Sequence, residues 1–459
     1  MMANEYKNIG VIVAESEEKA RKLALEKFPQ LKDGNFVLRQ DEDCLDTWFS
    51  SWLWPISVFD GINKPDNEEI NYYYPTNDLV TGPDIIFFWV ARMIMSGYEY
   101  RGDECFRNVY FTGIVRDKLG RKMSKQLGNS PDPIELMNKY GADGVRMGML
   151  LSAPAGNDIH FDESLCEQGR NFCNKIWNSL RLIKGWEVSE DITTPMENRV
   201  SETWFYHSLE KTKAEVDDLY SKYRLSEALM LIYKLFWDEF SAWYLEIIKP
   251  EYGKPIDEET YSATINFFEE LLKLLHPFMP FITEELYHTL SDKDESIMFA
   301  QSTINKNYSW EFIKGFEYAK EIITNIRNIR TSKNISPKER LTLFVKGNYD
   351  SSFDEVIKKL GNISEIKITD EKPANTIAYL VGTTEFFVPV EINVEEEIAK
   401  MQAEIKYFEG FLKSVMAKLS NEKFVANAKP EIVENERRKQ ADAESKIASL
   451  RESIKGLRK

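Results

Sequence analysis

The chain has 459 residues, 43% of them hydrophobic and 13% aromatic, with ten tryptophans. That is more than a single core uses, and it excludes a disordered protein. Its 59 basic residues stand against 75 acidic ones, a net charge of −16, which argues against a general cationic coat but leaves local phosphate-binding patches open.

Cys44, Cys105, Cys166 and Cys173 are scattered, with no C-x-x-C pair. Neither a disulfide framework nor a zinc knuckle is expected, and a reducing cytoplasm is the expected compartment. The first ten residues carry no apolar signal core, and no apolar run reaches membrane-spanning length.

Residues 8–14 (NIGVIVA) read as a strand, and Glu15 to Phe28 as a helix with Ala20, Leu23 and Ala24 on one face. From Asp41 to about Ala155 the sequence is dense in aromatics and glycine. Ile85 to Met95 reads there as a buried helix, and Asn108 to Val115 as a buried strand. A Lys- and Gly-rich loop follows, then a helix from Ile134.

Phe161 to about Arg330 is helical almost throughout. Phe172, Ile176, Leu180 and Ile183 share one face, and Leu225, Leu229, Ile232 and Phe236 another. Pro277 and Pro280 punctuate a third apolar helix, with Phe278 and Phe281 among its apolar residues. This is an all-α bundle, entered through the polar stretch Glu187 to Asn198. Residues 341–392 change to alternating strands (LTLFV, EIKIT, EFFVPVEI) with a short helix near Phe353 to Leu360, which fits a small α/β module.

The clearest periodicity is the last. Val394, Ile398, Met401, Ile405, Phe408, Leu412, Val415 and Leu419 form a heptad stripe. Ser420-Asn421 and Ala426 to Pro430 interrupt it, and Ile447, Leu450, Ile454 and Leu457 resume it. Two facing stripes predict an antiparallel coiled-coil hairpin; a dimerising coiled coil is the alternative.

The strongest candidate for chemistry is Gly120 to Asn129 (GRKMSKQLGN). Lys122, Lys125 and Ser124 between glycines make a cationic loop placed after a predicted strand and before the helix start Pro131-Asp132-Pro133. Ammonium groups there would neutralise a leaving pyrophosphate. A bare K-x-S-K, taken alone, favours an ordinary surface loop.

Lys122-Met123-Ser124-Lys125 resembles the KMSKS loop of class I aminoacyl-tRNA synthetases, with Gln126 in place of the final serine. Leu45-Asp46-Thr47-Trp48-Phe49-Ser50-Ser51 and Val80 to Met93 resemble the valine form of this family. So do Tyr140-Gly141-Ala142-Asp143, Arg170-Asn171-Phe172 and Lys175-Ile176-Trp177-Asn178. Trp237 to Phe240 with Trp243 to Glu246 is similar to the family's anticodon-binding bundle, and Asn421 to Val425 to a stretch of the valine enzymes' terminal arm. The resemblance runs from about residue 11 to 459 and is closest to the valyl-tRNA synthetases.

That resemblance implies a multidomain α/β plus all-α fold. Residues 1–40 would be a connecting segment after an editing region, and 41–155 the second half of a Rossmann-type nucleotide-binding domain. Helices that contact the tRNA stem would occupy 156–195, the anticodon-binding helical bundle 196–337, the small α/β module 338–392, and a coiled-coil tRNA-binding arm 393–459. It also implies a valine–tRNA ligase reaction: ATP, expected with Mg2+, activates valine to valyl-adenylate, and the valyl group passes to tRNA(Val). Positioning and charge stabilisation carry this chemistry, with no side-chain nucleophile.

The same resemblance makes Lys125 and Lys122 the catalytic lysines. Lys125, Ser124, Gly82 and Asp84 would bind ATP, with Gly82 and Asp84 at the ribose. Trp48, Ile85 and Asp46 would line the amino-acid pocket. Asp84 alternatively caps a helix, and Trp48 and Ile85 alternatively pack a core. For tRNA the candidates are Trp237 and Trp243, together with Tyr244, as stacking residues. Lys446, Arg451, Lys455, Arg458 and Lys459, opposed only by Glu452, would form a phosphate-binding patch. Core packing and a solvated helix face are the respective alternatives.

His160, His207, His276 and His288 have no metal spacing, and no structural metal is expected. The sequence contains no HIGH-type motif and no editing-sized insertion. The chain is therefore expected to be the C-terminal portion of a monomeric synthetase, incomplete and inactive alone. The competing readings are a catalytically inert tRNA-binding module and a portion of an isoleucyl- or leucyl-type enzyme.

Overall fold

The computed structural model describes residues 8–31, 36–124, 126–153, 157–290, 295–347, 349–390, 394–421 and 430–457. The chain divides into two compact units, one of Met1–Arg116 with Ala155–Ile159, the other of Asp117–Pro154 with His160–Lys459.

In the first unit, residues 8–14 are not a strand. Val11 and Val13 are exposed, and the segment finds no backbone ladder among the described residues; β-branched residues alone do not make a strand without a partner to bond. Helix α1 (Glu17–Lys27) follows, capped by Ser16, whose hydroxyl accepts from the Lys19 amide at 3.3 Å. Helices α2 (Thr47–Ser57) and α3 (Glu68–Tyr73) lead to strand β1 (Thr76–Thr81). A 3-10 turn over Pro83–Ile85 and a π-helical turn over Ile86–Val90 then open helix α4 (Ala91–Tyr100), before strands β2 (Phe106–Phe111) and β3 (Val115–Arg116). β1 and β2 pair in parallel, from Thr76 opposite Phe106 to Thr81 opposite Phe111.

The helix over Ile85 to Met95 forms, but only one side of it is covered: Val90 is buried, whereas Ile86, Phe87, Phe88, Ile94 and Met95 are exposed. β2 is likewise only partly covered. The reason is the small core of this unit, in which Ile56, Ile70, Tyr74 and Cys105 are buried with Phe59, Met93 and Phe106 packed against them. That core sits under α2, α3 and the start of β2 and does not reach the π-helical turn.

In the second unit, α5 (Pro133–Tyr140) and α6 (Ala142–Leu151) follow the Lys-rich loop. Strand β4 (Ile159–His160) lies in the chain before α7 (Glu163–Lys184). Glycines let α6 and α7 cross closely: a Cβ on Gly169 would stand 2.4 Å from the Gly144 carbonyl oxygen, and one on Gly148 2.7 Å from the Cys166 amide nitrogen.

The stretch after α7 is not purely a linker, because β5 (Val188–Ser189) pairs in parallel with β6 (Ile256–Asp257). Between them run α8 (Met196–Ser221), α9 (Leu225–Lys234), a π-helical segment over Leu235–Tyr244 and α10 (Leu245–Ile248). Then come α11 (Glu258–Leu275), α12 (Pro280–Leu290) and α13 (Trp310–Ser332). Phe172, Ile176, Leu180, Ile183, Leu229, Ile232, Phe236 and Phe278 are buried, while Phe281 points to solvent. Trp204 of α8 stacks on Phe316 of α13 at 3.7 Å between ring centroids.

The small α/β module has strands β7 (Leu341–Lys346), β8 (Ile363–Thr369), β9 (Thr376–Val381) and β10 (Thr384–Pro389) with helix α14 (Asp354–Gly361). The sheet order is β8-β7-β10-β9, parallel between β7 and β8 and antiparallel elsewhere. Sequence alternation had missed β9.

The last two helices are α15 (Val394–Leu419) and α16 (Pro430–Leu457). They pack antiparallel through Ile405 and Ile447, flanked by Ile398, Met401, Phe408, Leu412 and Leu450. Residues 422–429, which include the break and most of Asn421 to Val425, lie outside the described residues. Among the described residues no helix is long and apolar enough to cross a membrane.

Candidate functional site

The Lys-rich loop belongs to the second unit, and its geometry begins with Asp117. A left-handed glycine, Gly120 at φ +76°, turns the chain back. The Asp117 carboxylate then accepts from the amides of Leu119 at 3.0 Å and Arg121 at 2.8 Å, from Arg121 Nε at 2.7 Å and from Asn129 Nδ2 at 3.0 Å. The Asn129 amide, followed by Arg121 and backbone donors, holds this carboxyl well below the usual carboxylate range.

Asn129 does more than bind Asp117. Its Oδ1 accepts from the Ser124 amide at 2.9 Å, and its Nδ2 also reaches the Lys122 carbonyl at 3.3 Å. The Ser124 hydroxyl accepts from the Leu127 amide at 3.2 Å. Lys122 is exposed; Lys125 lies outside the described residues. The loop therefore starts and ends on a carboxylate–amide tie, with Lys122 held by its backbone and its ammonium in solvent. Lys118, beside the turn, pairs with Asp162 at 2.9 Å, the residue that caps α7. The Ser164 amide and Lys118 draw the Asp162 carboxyl down to about 2.

Sequence reasoning singled out the lysines and missed Asp117 and the role of Asn129. The available signal was the spacing of an aspartate before a glycine turn. After the loop, Asp132 caps α5 by accepting from the Ile134 amide at 2.7 Å, with Pro133 at the first helical position.

In the first unit, Gly82 follows β1 and Asp84 lies in the 3-10 turn after it. Asp84 is exposed and makes no hydrogen bond among the described residues; the helix-cap reading of Asp84 does not hold, because the turn starts at Gly82 with no side-chain cap. Ile85 is half-buried.

Asp46 is committed to capping α2: its carboxylate accepts from the Trp48 amide at 2.8 Å. Trp48 is half-buried, with its ring 6.4 Å from both Phe88 and Trp89. The Arg92 guanidinium carbon lies 3.6 Å from the Trp48 ring centre, and Arg92 Nη1 donates to the carbonyls of Phe87 and Phe88 at 3.3 and 3.1 Å. Arg92 thus ties two carbonyls of the π-helical turn while covering the indole. This arginine was not identified from the sequence.

The tRNA candidates are not brought together on one surface. Trp237 packs towards α7, beside Phe172 and Tyr233 with Lys175 over its ring at 5.4 Å. Trp243 faces α13, with Arg327 and Lys320 over its ring at 5.5 and 5.8 Å. It lines an open cleft of about 610 Å³ with Tyr318, Lys320, Thr324 and Gly382. Tyr244 is fully buried and hydrogen-bonded to Thr264 Oγ1 at 2.9 Å, so base stacking is closed to it.

On the arm, Lys446 is exposed over the Phe408 ring at 4.8 Å and Lys455 is exposed. Arg451 pairs with Glu409 at 2.7 Å. Arg458 and Lys459 lie outside the described residues.

Among the described residues no group of three or more His, Cys, Asp or Glu side chains is placed to hold a metal ion. His276 Nδ1 instead lies 2.8 Å from Thr283 Oγ1, and His288 Nε2 lies 2.9 Å from Glu284.

The family model for tRNA synthetases class I (I, L, M and V) matches residues 1–162. The model for the anticodon-binding domain of tRNA ligase matches 202–345, and that for the valyl tRNA synthetase tRNA binding arm matches 393–458. The valine–tRNA ligase of Phocaeicola vulgatus is 63% identical over 455 residues, which is 98% of this chain and 52% of that protein. Those of Parabacteroides distasonis and Bacteroides fragilis are each 61% identical, over 454 and 457 residues. The chain thus spans about half the length of the curated relatives it matches. With three family matches in order along it and this identity through nearly all its residues, the chain belongs to the valyl-tRNA synthetase family of the class I aminoacyl-tRNA synthetases.

Proposed function

We propose that this chain carries the pyrophosphate-side loop and the tRNA-binding elements of a valine–tRNA ligase. The observation that carries the reading is the loop of 117–129, a cationic turn with a fixed base, in a chain 63% identical to a valine–tRNA ligase over 98% of its length. Lys122 and Lys125 would neutralise the β- and γ-phosphates of ATP as pyrophosphate leaves, and Ser124 would contribute a hydroxyl. Asp84, exposed beside Gly82, would accept from the ribose hydroxyls. Trp48, with Ile85, would wall the valine pocket, and Asp46 would act there through its hold on the Trp48 backbone. Magnesium would arrive with ATP on the phosphate oxygens.

For tRNA, the helices over 196–337 would read the anticodon through Trp237 and Trp243, the latter lining the open cleft. The antiparallel arm over 393–459 would grip the tRNA backbone through Lys446 and Lys455, with Arg451 and Arg458 adding charge. The finer domain assignment (second Rossmann half over 41–155, stem-contact helices over 156–195, small α/β module over 338–392) belongs to the same reading.

The α-phosphate side of the reaction needs a HIGH-type motif, which this sequence does not contain. The purified chain is therefore expected to bind tRNA(Val) but not to support valine-dependent ATP–pyrophosphate exchange. Equilibrium binding to tRNA(Val) and an exchange assay on one preparation test both halves. Clear exchange by the chain alone would refute the division of labour proposed here, and absent tRNA binding would refute the assignment of the bundle and arm.

A further inference from the structure

In the second unit, α6 is fastened to the helical bundle at both ends. At its start, Asp143 accepts from the Ile282 amide at 2.7 Å and the Phe281 amide at 3.4 Å, in the first turn of α12. One turn on, Arg146 Nε donates to the Phe278 carbonyl at 2.9 Å and Arg146 Nη2 to the Pro277 carbonyl at 3.1 Å, in the corner between α11 and α12. A carboxylate suits the free amides of a helix start, and a guanidinium suits the carbonyls of the corner before it. At the far end the Ser226 hydroxyl, in the first turn of α9, lies 2.6 Å from the Leu150 carbonyl and 2.5 Å from that of Ala153. Between these ends Gly144 and Gly148 bring α6 close against α7. A crossing built on glycines has few interlocking side chains to resist pivoting, so the bonds at the ends fix its angle.

The cationic loop is fastened to the same group of helices. Lys118 pairs with Asp162, the cap of α7, at 2.9 Å. Lys139 Nζ and the Tyr140 hydroxyl, at the end of α5, each donate to Glu163 at 2.8 Å. Resting on the functional reading above, we propose that α6 is the joint that sets where the cationic loop stands relative to the bundle, with Asp143 and Arg146 as its positioning residues. A tRNA is a stiff body whose anticodon and 3′ end lie far apart. A bundle that holds one end serves a loop at the other only when the span between them is fixed. Asp143 and Arg146 act through α6 and touch no reactant.

The span itself is the quantity to measure. Spin labels go on Leu119→Cys, beside the turn of the loop, and Asn328→Cys, on α13, where both native side chains are exposed. Cys44, which is exposed, is replaced by serine. Cys105 and Cys166 are buried, and burial pushes the Cys173 thiol up to about 12, so these three stay unlabelled. The parent is expected to give one narrow distance. Arg146→Ala and Asp143→Asn are each expected to broaden it by about twofold or more. Thr264→Val, which takes the hydroxyl partner from Tyr244 inside the bundle, should lower stability yet leave the distance unchanged. Circular dichroism shows whether each variant folds, and Arg146, being exposed, decides the matter if Asp143→Asn does not.

A broad distance in the parent, a parent-like distance in the folded joint variants, or equal broadening by Thr264→Val would overturn the proposal. Binding of tRNA(Val) is measured on the same preparations. A parent chain that does not bind tRNA(Val) defeats the functional reading, whereas binding with distances indifferent to the joint variants defeats only the joint.

Discussion

Asn129 Nδ2 lies 3.0 Å from Asp117 Oδ2, and this single contact closes the base of the cationic loop. The same asparagine holds the Ser124 amide and the Lys122 carbonyl. Asn129→Ala removes all these bonds at a half-buried position in the loop, away from the core clusters, so it should loosen the loop without unfolding the chain. Tryptic cleavage after Arg121 or Lys122 is expected to accelerate by about tenfold, with the thermal midpoint little changed. Asp117→Ala should act alike, and the double variant should cost little more than either alone, because the two residues act as a unit. Fully additive effects would show that they do not.

The protonation of Asp117 sets the pH range of this tie. Its folded-state pKa is depressed, chiefly by the Asn129 amide. Its contribution is therefore present above the ordinary carboxylate pKa of about 4 and is lost only as pH falls through the depressed value. Protection of the loop should hold from neutral pH down to about 4, read with an acid-active protease. Loss of protection near pH 5–6 would point to another group.

Asp143 behaves in the opposite sense. It is buried at the start of α6 and accepts from the Ile282 amide at 2.7 Å and the Phe281 amide at 3.4 Å, capping α12. Burial nevertheless raises its pKa, outweighing those amides and Arg146. A raised folded-state pKa gives stability that is fully present below the unfolded value of about 4 and lost as pH rises through the folded value. Relative to Asp143→Asn, the natural chain should gain stability as pH falls from 7 towards 4. A pH-independent difference in urea midpoints would rule this out. Asp143→Ala, which leaves the two buried amides without an acceptor, should cost about 1–3 kcal/mol at neutral pH.

The crossing of α6 and α7 is the most restrictive contact in the second unit. A methyl on Gly169 would meet the Gly144 carbonyl oxygen at 2.4 Å and its Cα at 2.9 Å. Both are backbone, so the helices must separate. Gly169→Ala should lower stability by about 1–3 kcal/mol or more. Gly410→Ala, in α15 with nothing within 4 Å, should be neutral or stabilising by up to about 1 kcal/mol. Denaturant titration of the two variants distinguishes a packing limit from a general glycine effect.

The two described arm lysines and Arg451 should not contribute equally to tRNA binding. Lys446 and Lys455 are exposed, whereas Arg451 is engaged by Glu409 at 2.7 Å. Removing residues 393–459 should weaken tRNA(Val) binding. Lys446→Ala and Lys455→Ala should each lower the slope of log affinity against log salt by up to about 1. Arg451→Ala should have the smallest effect, and equal slopes in all three variants would remove the ordering.

Much of this protein was legible in one dimension. Ordered motifs from Trp48 to Trp243 carried the family, because chemistry demands particular residues at particular spacings. Helical periodicity foretold the buried faces of α7 and α9, and the stripes of α15 and α16, because side-chain direction follows the helical repeat.

Exposure and pairing were decided only in three dimensions. Residues 8–14 have the composition of a strand but no described partner to bond, and Ile86 to Phe88 have the composition of a core helix but lie beyond the small core of their unit. Tyr244 resembled a stacking residue until the packing of α11 closed over it and joined it to Thr264. Around the KMSK loop, sequence marked the lysines by their charge. Only folding could bring Asn129 back to Asp117, because a hydrogen bond depends on where the loop closes and not on the identity of its neighbours.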